Sequence, residues 1–284
     1  MKTFYDCIPC FLRQALDAAR LATSDETIHE RVLHEALRVA AEMDLRQSPP
    51  AMAQQIHRAI REWTGKNDPY LEIKNRFNSM ALELYPVMQG WMADSDQPLE
   101  TAMRLAIAGN VIDLGVKTRL KEGEVRESIL NAMSAPLEGD IGEFTSAVRR
   151  ADEILYLADN AGEIVFDRLL IEQLKPAKVI VAVRGFPIIN DATLEDAKEA
   201  GIDAVADVME NGSDAPGTIL RDCNESFCDC FNRADLVIAK GQGNYETLSE
   251  ESRDIFFLLK VKCPVVAKHT GCQEGTMLLT RTAI

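Results

Sequence analysis

The 284-residue chain has no apolar run approaching the roughly 18 residues that a membrane-spanning helix needs. Its first residues, MKTFYDCIPCFLRQ, place Asp6 and Arg13 where a secretory leader keeps an unbroken apolar stretch, so neither secretion nor membrane insertion is expected. Positive charge is short. Lys and Arg number 31 against 45 Asp and Glu, a net charge of −14, which excludes the basic surface that non-specific nucleic-acid binding uses. A small anionic substrate stays compatible, because a few lysines or a metal ion reverse the sign inside one cleft. Histidine is scarce: there are four, none at the spacing of zinc ligands, and His269 is expected to be solvated or hydrogen-bonded. The seven cysteines are odd in number and scattered, unlike a disulfide framework, which points to a reduced, cytoplasmic protein. Cys7-Ile8-Pro9-Cys10 is a CxxC pair with no second pair to complete a zinc site, and it lies in a helical segment, so a structural role is expected.

What is present is ordinary globular composition, 46% hydrophobic and 27% charged, over a length that suggests about two domains. Up to residue 148 apolar residues recur at helical spacing. Residues 26–43 carry Ile28, Val32, Leu33, Ala36, Leu37 and Ala40 on one face, with Thr23 and Glu26 as a capping box. Ser48-Pro49-Pro50 opens a helix with the stripe Met52, Ile56, Ile60 and Trp63 and a stop at Gly65. Further helices are expected over 69–92, kinked or divided at Pro86, over 99–112 and over 122–133. From residue 149 to 284 the period changes. Short apolar runs at 154–158, 179–183, 204–208, 236–239 and 265–267 read as strands, alternating with helices at 164–174, 194–200 and 224–231. The fold class that follows is α/β: an all-helical N-terminal domain, 1–148, and a Rossmann-like α/β domain with a parallel sheet, 149–284.

Open parallel sheets bind ligands outside the carboxyl ends of their strands. Those ends read Asp159-Asn160-Ala161-Gly162-Glu163, then Arg184 with Asn190-Asp191, then Asn211-Gly212-Ser213-Asp214, then Lys240-Gly241-Gln242-Gly243-Asn244-Tyr245-Glu246, with Lys262, Lys268 and His269 around the fifth. Asp159, Asn160 and Asp191 offer oxygen ligands to a hard divalent cation, Mg²⁺ or Mn²⁺. Lys240, Lys262 and Arg184 suit phosphate, and Gly162 and Gly241 let backbone N–H groups approach an anion. The same residues read almost as well in duller terms. Asp159-Asn160 and Asn190-Asp191 serve as helix caps, Arg184 pairs with a carboxylate, and the Gly241 run lacks the third glycine of a dinucleotide loop.

Six segments carry a resemblance: FYDCIPCFLRQAL, Ala108-Gly109-Asn110-Val111-Ile112-Asp113, LADNAGEIVFD, VRGFPIINDAT, KGQGNYETL and LLKVKCPVVA. Over nearly its whole length the sequence resembles the DUF89 or damage-control phosphatase family, and within it the prokaryotic branch with an N-terminal CxxC. The resemblance implies a helical domain on a Rossmann-like domain and metal-dependent hydrolysis of small phosphorylated metabolites, often sugar phosphates. It places the metal on Asp159, Asn160 and Asp191, with Co²⁺ or Ni²⁺ as further candidate ions. It makes Lys240 and Lys262 the phosphate-contacting pair, brings Asn244 to the substrate, and puts Asn110 and Asp113 at a cleft between the domains. Asp159, Asp191 and Lys240 are the expected catalytic residues. Two positions depart from eukaryotic relatives: Gln242-Gly243 stands where they carry Asp-Leu, and Glu246 where they carry Arg.

The expected reaction is metal-assisted hydrolysis of a phosphomonoester, with lysines stabilising the equatorial oxygens. Water or an aspartate serves as nucleophile, and water is favoured because the first strand end lacks an Asp-x-Asp-x-Thr arrangement. Two other readings compete. One is a carboxyl methyltransferase using S-adenosylmethionine, which wants a glycine-rich first loop where this chain has one glycine and an acid. The other is a metal- or metabolite-binding protein without turnover.

Overall fold

The computed structural model describes residues 1–109 and 122–282. The expected site residues Asn110 and Asp113, and the end of the helix expected over 99–112, lie outside the described residues. The chain is α/β, with helices first and a mostly parallel sheet after them.

The first three helices, α1 (Cys7–Ala22), α2 (Glu26–Glu42) and α3 (Pro49–Thr64), form a bundle on their own small core. Ala15, Ala18, Ala19 and Ala22 of α1 and Ala36 of α2 let the backbones come close around Phe11, Val32, Met52, Ile56 and Ile60. Ser48 and Pro49 start α3, and Gly65 stops it in the left-handed region, as the sequence predicts. The start of α2 differs. Asp25, not Thr23, is the cap and accepts from the Thr27 backbone N–H at 2.9 Å, while Thr23 ends α1.

Next come α4 (Leu71–Ala93), α5 (Pro98–Ala108) and α6 (Glu122–Ser134). Pro86 does not divide α4: it stands on the exposed side, where water can replace the hydrogen bond that proline cannot make.

The sheet begins at β1 (Leu137–Glu138), ahead of the boundary drawn at residue 149, and α7 (Ile141–Arg150) follows it. The remaining elements are β2 (Glu153–Leu157), α8 (Glu163–Gln173), β3 (Lys178–Val183), α9 (Leu194–Glu199), β4 (Asp207–Glu210), α10 (Glu225–Arg233), β5 (Leu236–Lys240), α11 (Gly241–Leu248), β6 (Ile255–Lys260), α12 (Pro264–Thr270) and β7 (Met277–Arg281). The strand order is β1-β7-β6-β5-β2-β3-β4, parallel except for the β6–β7 pair.

Three strand expectations change. The run at 265–267 is helical: Pro264 sits at the first position of α12 and only Val266 is buried, too little apolar surface for a strand covered on both faces. The fifth strand of the parallel set is β6, whose Ile255, Phe256, Phe257, Leu258 and Leu259 are all buried. The strand expected at 204–208 starts later, at Asp207, because residues 202–204 form a 3₁₀ turn.

One face of the sheet shares its core with the helical half. Ile154, Tyr156, Ile238 and Phe256 pack with Phe166 and Leu170 of α8, Phe77 and Met88 of α4, and Met103 and Ala106 of α5. Polar contacts join the halves as well. Gln54, Arg58 and Arg61 of α3 converge on Asp214 beyond β4, and Arg61 also donates to the Pro187 carbonyl at 2.9 Å. Burial alone would raise the Asp214 carboxyl, but hydrogen bonds from Arg58 and Gln54 outweigh it and hold the group below the usual aspartate range.

A depressed folded-state value contributes stability that is complete above the unfolded value and is lost as pH falls through the folded one. Breaking a buried pair costs about 3–5 kcal/mol and an exposed one under about 1 kcal/mol, and Arg58 is half-exposed. Asp214→Asn is therefore expected to cost about 2 kcal/mol at neutral pH. The gap between native and variant should close as pH falls below about 4, read by urea denaturation across a pH series.

Candidate functional site

Strand β2 lies between β3 and β5, so the chain runs outward on one side through β4 and returns on the other. The carboxyl ends of β2 and β5 thus flank the crevice at which such sheets bind ligands. Residues 158–162 turn there from β2 into α8. At Gly162 the φ of 74° suits glycine, and an added Cβ would lie 2.8 Å from Phe77 Cβ of α4. The Gly162 N–H donates to Asn78 Oδ1 at 2.6 Å, so α4 fixes this turn from the helical side.

The loop after β3 lies antiparallel beside that turn. Asn160 and Asp191 form a β-bridge; Ala161 N–H donates to the Asn190 carbonyl and Ala192 N–H to the Asp159 carbonyl, both at 2.8 Å. Ile189 takes a φ of 44° to make this approach, a left-handed conformation that costs a branched residue about 1–3 kcal/mol. Two loops far apart in sequence are thereby locked at the register that sets Asp159 beside Asp191.

Both carboxylates are nearly enclosed, Asp159 at 8% and Asp191 at 4% exposure. Asn160 donates through Nδ2 to Asp159 Oδ2 at 2.9 Å and to Glu163 Oε2 at 3.1 Å. Burial first, then the charges of Glu163 and Asp191, push the Asp159 carboxyl well above the usual range, against the pull of Lys262 and Arg184. A buried carboxyl held above its usual range is one that a cation or a proton completes. Two carboxylates and an amide oxygen fit a hard divalent ion. Among the described residues no three His, Cys, Asp or Glu side chains gather as a metal-holding group.

Arg184 lies at the end of β3 and is buried. Its Nε donates to Asp191 Oδ2 at 2.7 Å, its Nη1 to Thr218 Oγ1 and its Nη2 to Asn244 Oδ1, both at 3.3 Å, and Nη2 is 3.9 Å from Asp159 Oδ1. Lys262 follows β6 on the exposed rim. Its backbone N–H donates to Gln242 Oε1 at 3.1 Å, and Gln242 Nε2 donates to Glu246 Oε1 at 2.8 Å. Burial pushes the Glu246 carboxyl up to about 7, with the Gln242 hydrogen bond and Lys262 acting the other way.

Two expected substrate contacts sit elsewhere. Asn244 has its whole amide engaged by protein: Oδ1 accepts from Thr218 and Arg184, and Nδ2 donates to the Ala158 and Lys240 carbonyls. It staples α11 to the end of β2 and does not face a substrate. Lys240 is fully buried, and its ammonium donates to Glu163 Oε1 at 2.7 Å, Asp167 Oδ1 at 2.6 Å and the Ala106 carbonyl at 2.9 Å. An ammonium has three N–H donors, and these are three acceptors, so none points to phosphate.

Sequence reasoning missed Asn78, Thr218 and the partners of Lys240. Lys74 and Asn78 carried a signal, being polar residues four apart on the face of α4 that also buries Phe77 and Ala81; Lys74 pairs with Asp196 at 2.7 Å and Asn78 donates to it at 3.0 Å. His269 is hydrogen-bonded, its Nδ1 2.8 Å from Tyr245 Oη, and all seven cysteines are thiols. A cavity of about 540 Å³ lies between α3 and the loops beyond β3 and β4, but Arg58 and Arg61 on its wall are already committed to Asp214.

Comparison with known proteins follows the same outline. The sequence profile of the damage-control phosphatase ARMT1-like domain matches residues 3–278. A damage-control phosphatase of Pyrococcus horikoshii is 37% identical over 99% of this chain and 98% of its own length. One from Archaeoglobus fulgidus is 37% identical over 96% of each. An uncharacterised protein of Methanocaldococcus jannaschii is 38% identical over 97% of this chain and 94% of its own. The crystal structure of a DUF89 family protein from Pyrococcus horikoshii superimposes with a TM-score of 0.92 and 35% identity, covering both chains in full.

Gly241 opens α11 at φ 80°, and a Cβ there would overlap the Asp159 carboxylate. Gly241→Ala is expected to displace Asp159 and to cost at least about 1 kcal/mol from backbone strain alone, read as a fall in Tm.

Proposed function

The chain belongs to the damage-control phosphatase ARMT1-like family, also called DUF89, and from that premise we propose that it hydrolyses phosphomonoesters of small metabolites with the help of a divalent metal ion. The observation that carries the reading is the Asp159–Asn160–Asp191 set, brought together and buried at the sheet's crevice, where burial and the neighbouring acids hold the Asp159 carboxyl above its usual range. The substrates we infer are sugar phosphates or damaged phosphometabolites; the relatives' names support the phosphatase part of that reading.

Asp159 and Asp191 would hold the ion through carboxylate oxygens and Asn160 through its carbonyl. A bound Mg²⁺ or Mn²⁺, or Co²⁺ or Ni²⁺ in its place, supplies positive charge that polarises a phosphoryl oxygen. Lys262, on the rim where its charge already acts on Asp159, takes the remaining phosphoryl charge as the bond to the leaving group lengthens. Arg184 orients Asp191 through the 2.7 Å contact and offsets the repulsion between the two acids. The attacking water forms the new P–O bond, the ester P–O bond breaks, and the proton shed by the water ends on the leaving alkoxide. Burial of the acid set keeps bulk water from competing for the phosphoryl oxygens.

The test is release of inorganic phosphate from a panel of sugar and cofactor phosphates with each of the four ions. Metal-dependent release is expected, abolished by a chelator. Asp159→Ala should remove it while the protein stays folded, and Lys262→Ala should lower kcat by about 100-fold. Ligand-induced stabilisation with no release from any substrate would instead support a binding protein without turnover.

A further inference from the structure

Glu163 and Asp167 stand four residues apart on α8, so they share one helix face, and both are buried against the end of β5. Two neighbouring carboxylates out of water repel strongly unless a cation lies between them. Lys240 is that cation. It reaches Glu163 and Asp167 at 2.7 and 2.6 Å, and its third proton goes to the carbonyl of Ala106, near the C-terminal end of α5.

Neutralising a core would be a sufficient role if Glu163 ended there, but its second oxygen is also engaged. Glu163 Oε2 accepts from Asn160 Nδ2 at 3.1 Å, and the same nitrogen donates to Asp159 Oδ2 at 2.9 Å. An asparagine side chain has two N–H bonds and one carbonyl oxygen. With both N–H bonds taken by carboxylates, Oδ1 is the atom left to meet a ligand.

We propose that Glu163 is a positioning residue, held by Lys240, that fixes the Asn160 amide with its oxygen toward the cation site. The proposal rests on the metal-dependent reading above. It assigns Lys240 a task one contact away from the ligands and gives the acid of the DNAGE segment a function. Because Lys240 also holds the Ala106 carbonyl, the same ammonium ties the end of α5 to the site.

The discriminating pair is Glu163→Gln and Asp167→Asn. Each removes one carboxylate charge from the same buried cluster, and Lys240 keeps two acceptors in either. Only the first changes the partner of Asn160, since a glutamine side chain has a single oxygen to share between Lys240 and the amide. The measurement is Mn²⁺ affinity of the purified protein by calorimetry without substrate, with Tm recorded in parallel. Glu163→Gln is expected to weaken Mn²⁺ binding about 10- to 100-fold, and Asp167→Asn to change it less than about threefold. Equal Mn²⁺ affinity in native protein and Glu163→Gln overturns the positioning role while leaving the metal-dependent reading intact. Equal loss in both variants, tracking a shared fall in Tm, also overturns it, because a purely structural role predicts that pattern. A native protein that binds no Mn²⁺ overturns the metal-dependent reading itself and this proposal with it.

Discussion

Carboxylates withdrawn from water repel one another, and this fold gathers four of them, Asp159, Glu163, Asp167 and Asp191, at one edge of one sheet. Everything around that edge answers the repulsion. Lys240 closes the Glu163–Asp167 side with a full set of hydrogen bonds, although burial still leaves the Asp167 carboxyl raised to about 6. On the other side Arg184 lies 2.7 Å from Asp191 but 3.9 Å from Asp159. The compensation is therefore unequal. One pair of acids is closed around a single ammonium, and the other meets a guanidinium at one member more closely than at the other. A site for chemistry differs from a buried ion pair in this respect, and here the two are adjacent and share Glu163 through the Asn160 amide.

The helical half holds that edge as well as covering it. Asn78 of α4 accepts from the Gly162 N–H, Ala106 of α5 accepts from Lys240, and Arg61 of α3 donates to the Pro187 carbonyl in the loop leading to Asp191. Two of these contacts land on loops of the site and the third on the end of β5. Since α4 and α5 also share an apolar core with the sheet, separating the halves would expose that core and break all three contacts together.

The alternation of helical and strand periods made the fold class legible, and the strand-end rule located the crevice. It named Asp159, Asn160, Arg184 and Asp191, which the structure does bring together. The direction of Lys240 was also legible but needed a finer reading. Side chains of β5 alternate between faces: Val237 and Ala239 join one core, and Leu236 and Ile238 join the core shared with α4, α5 and α8. Lys240 continues the second series and so points between α8 and α5, away from the ligand edge. Its partners were not legible, because pairing α8 with the end of β5 depends on strand order. The strand misplaced at 265–267 shows a limit of local apolarity: three apolar residues after Cys263-Pro264 serve a helix as readily as a strand.

The geometry also separates residues held by the backbone from residues held only by side chains. Asp159 and Asp191 are fixed by backbone, through the Asn160–Asp191 bridge and the close approach of Gly241. Gln242 and Glu246 are placed differently. They lie one turn apart on α11, Gln242 donating to Glu246 and accepting from the backbone N–H of Lys262. Replacing Glu246 by a cation would reverse the charge beside Lys262 without disturbing the acid set, and Glu246, raised to about 7, already changes its charge near neutral pH. A change at α11 thus alters the charge on the rim while the acid set stays where the ends of β2 and β3 put it.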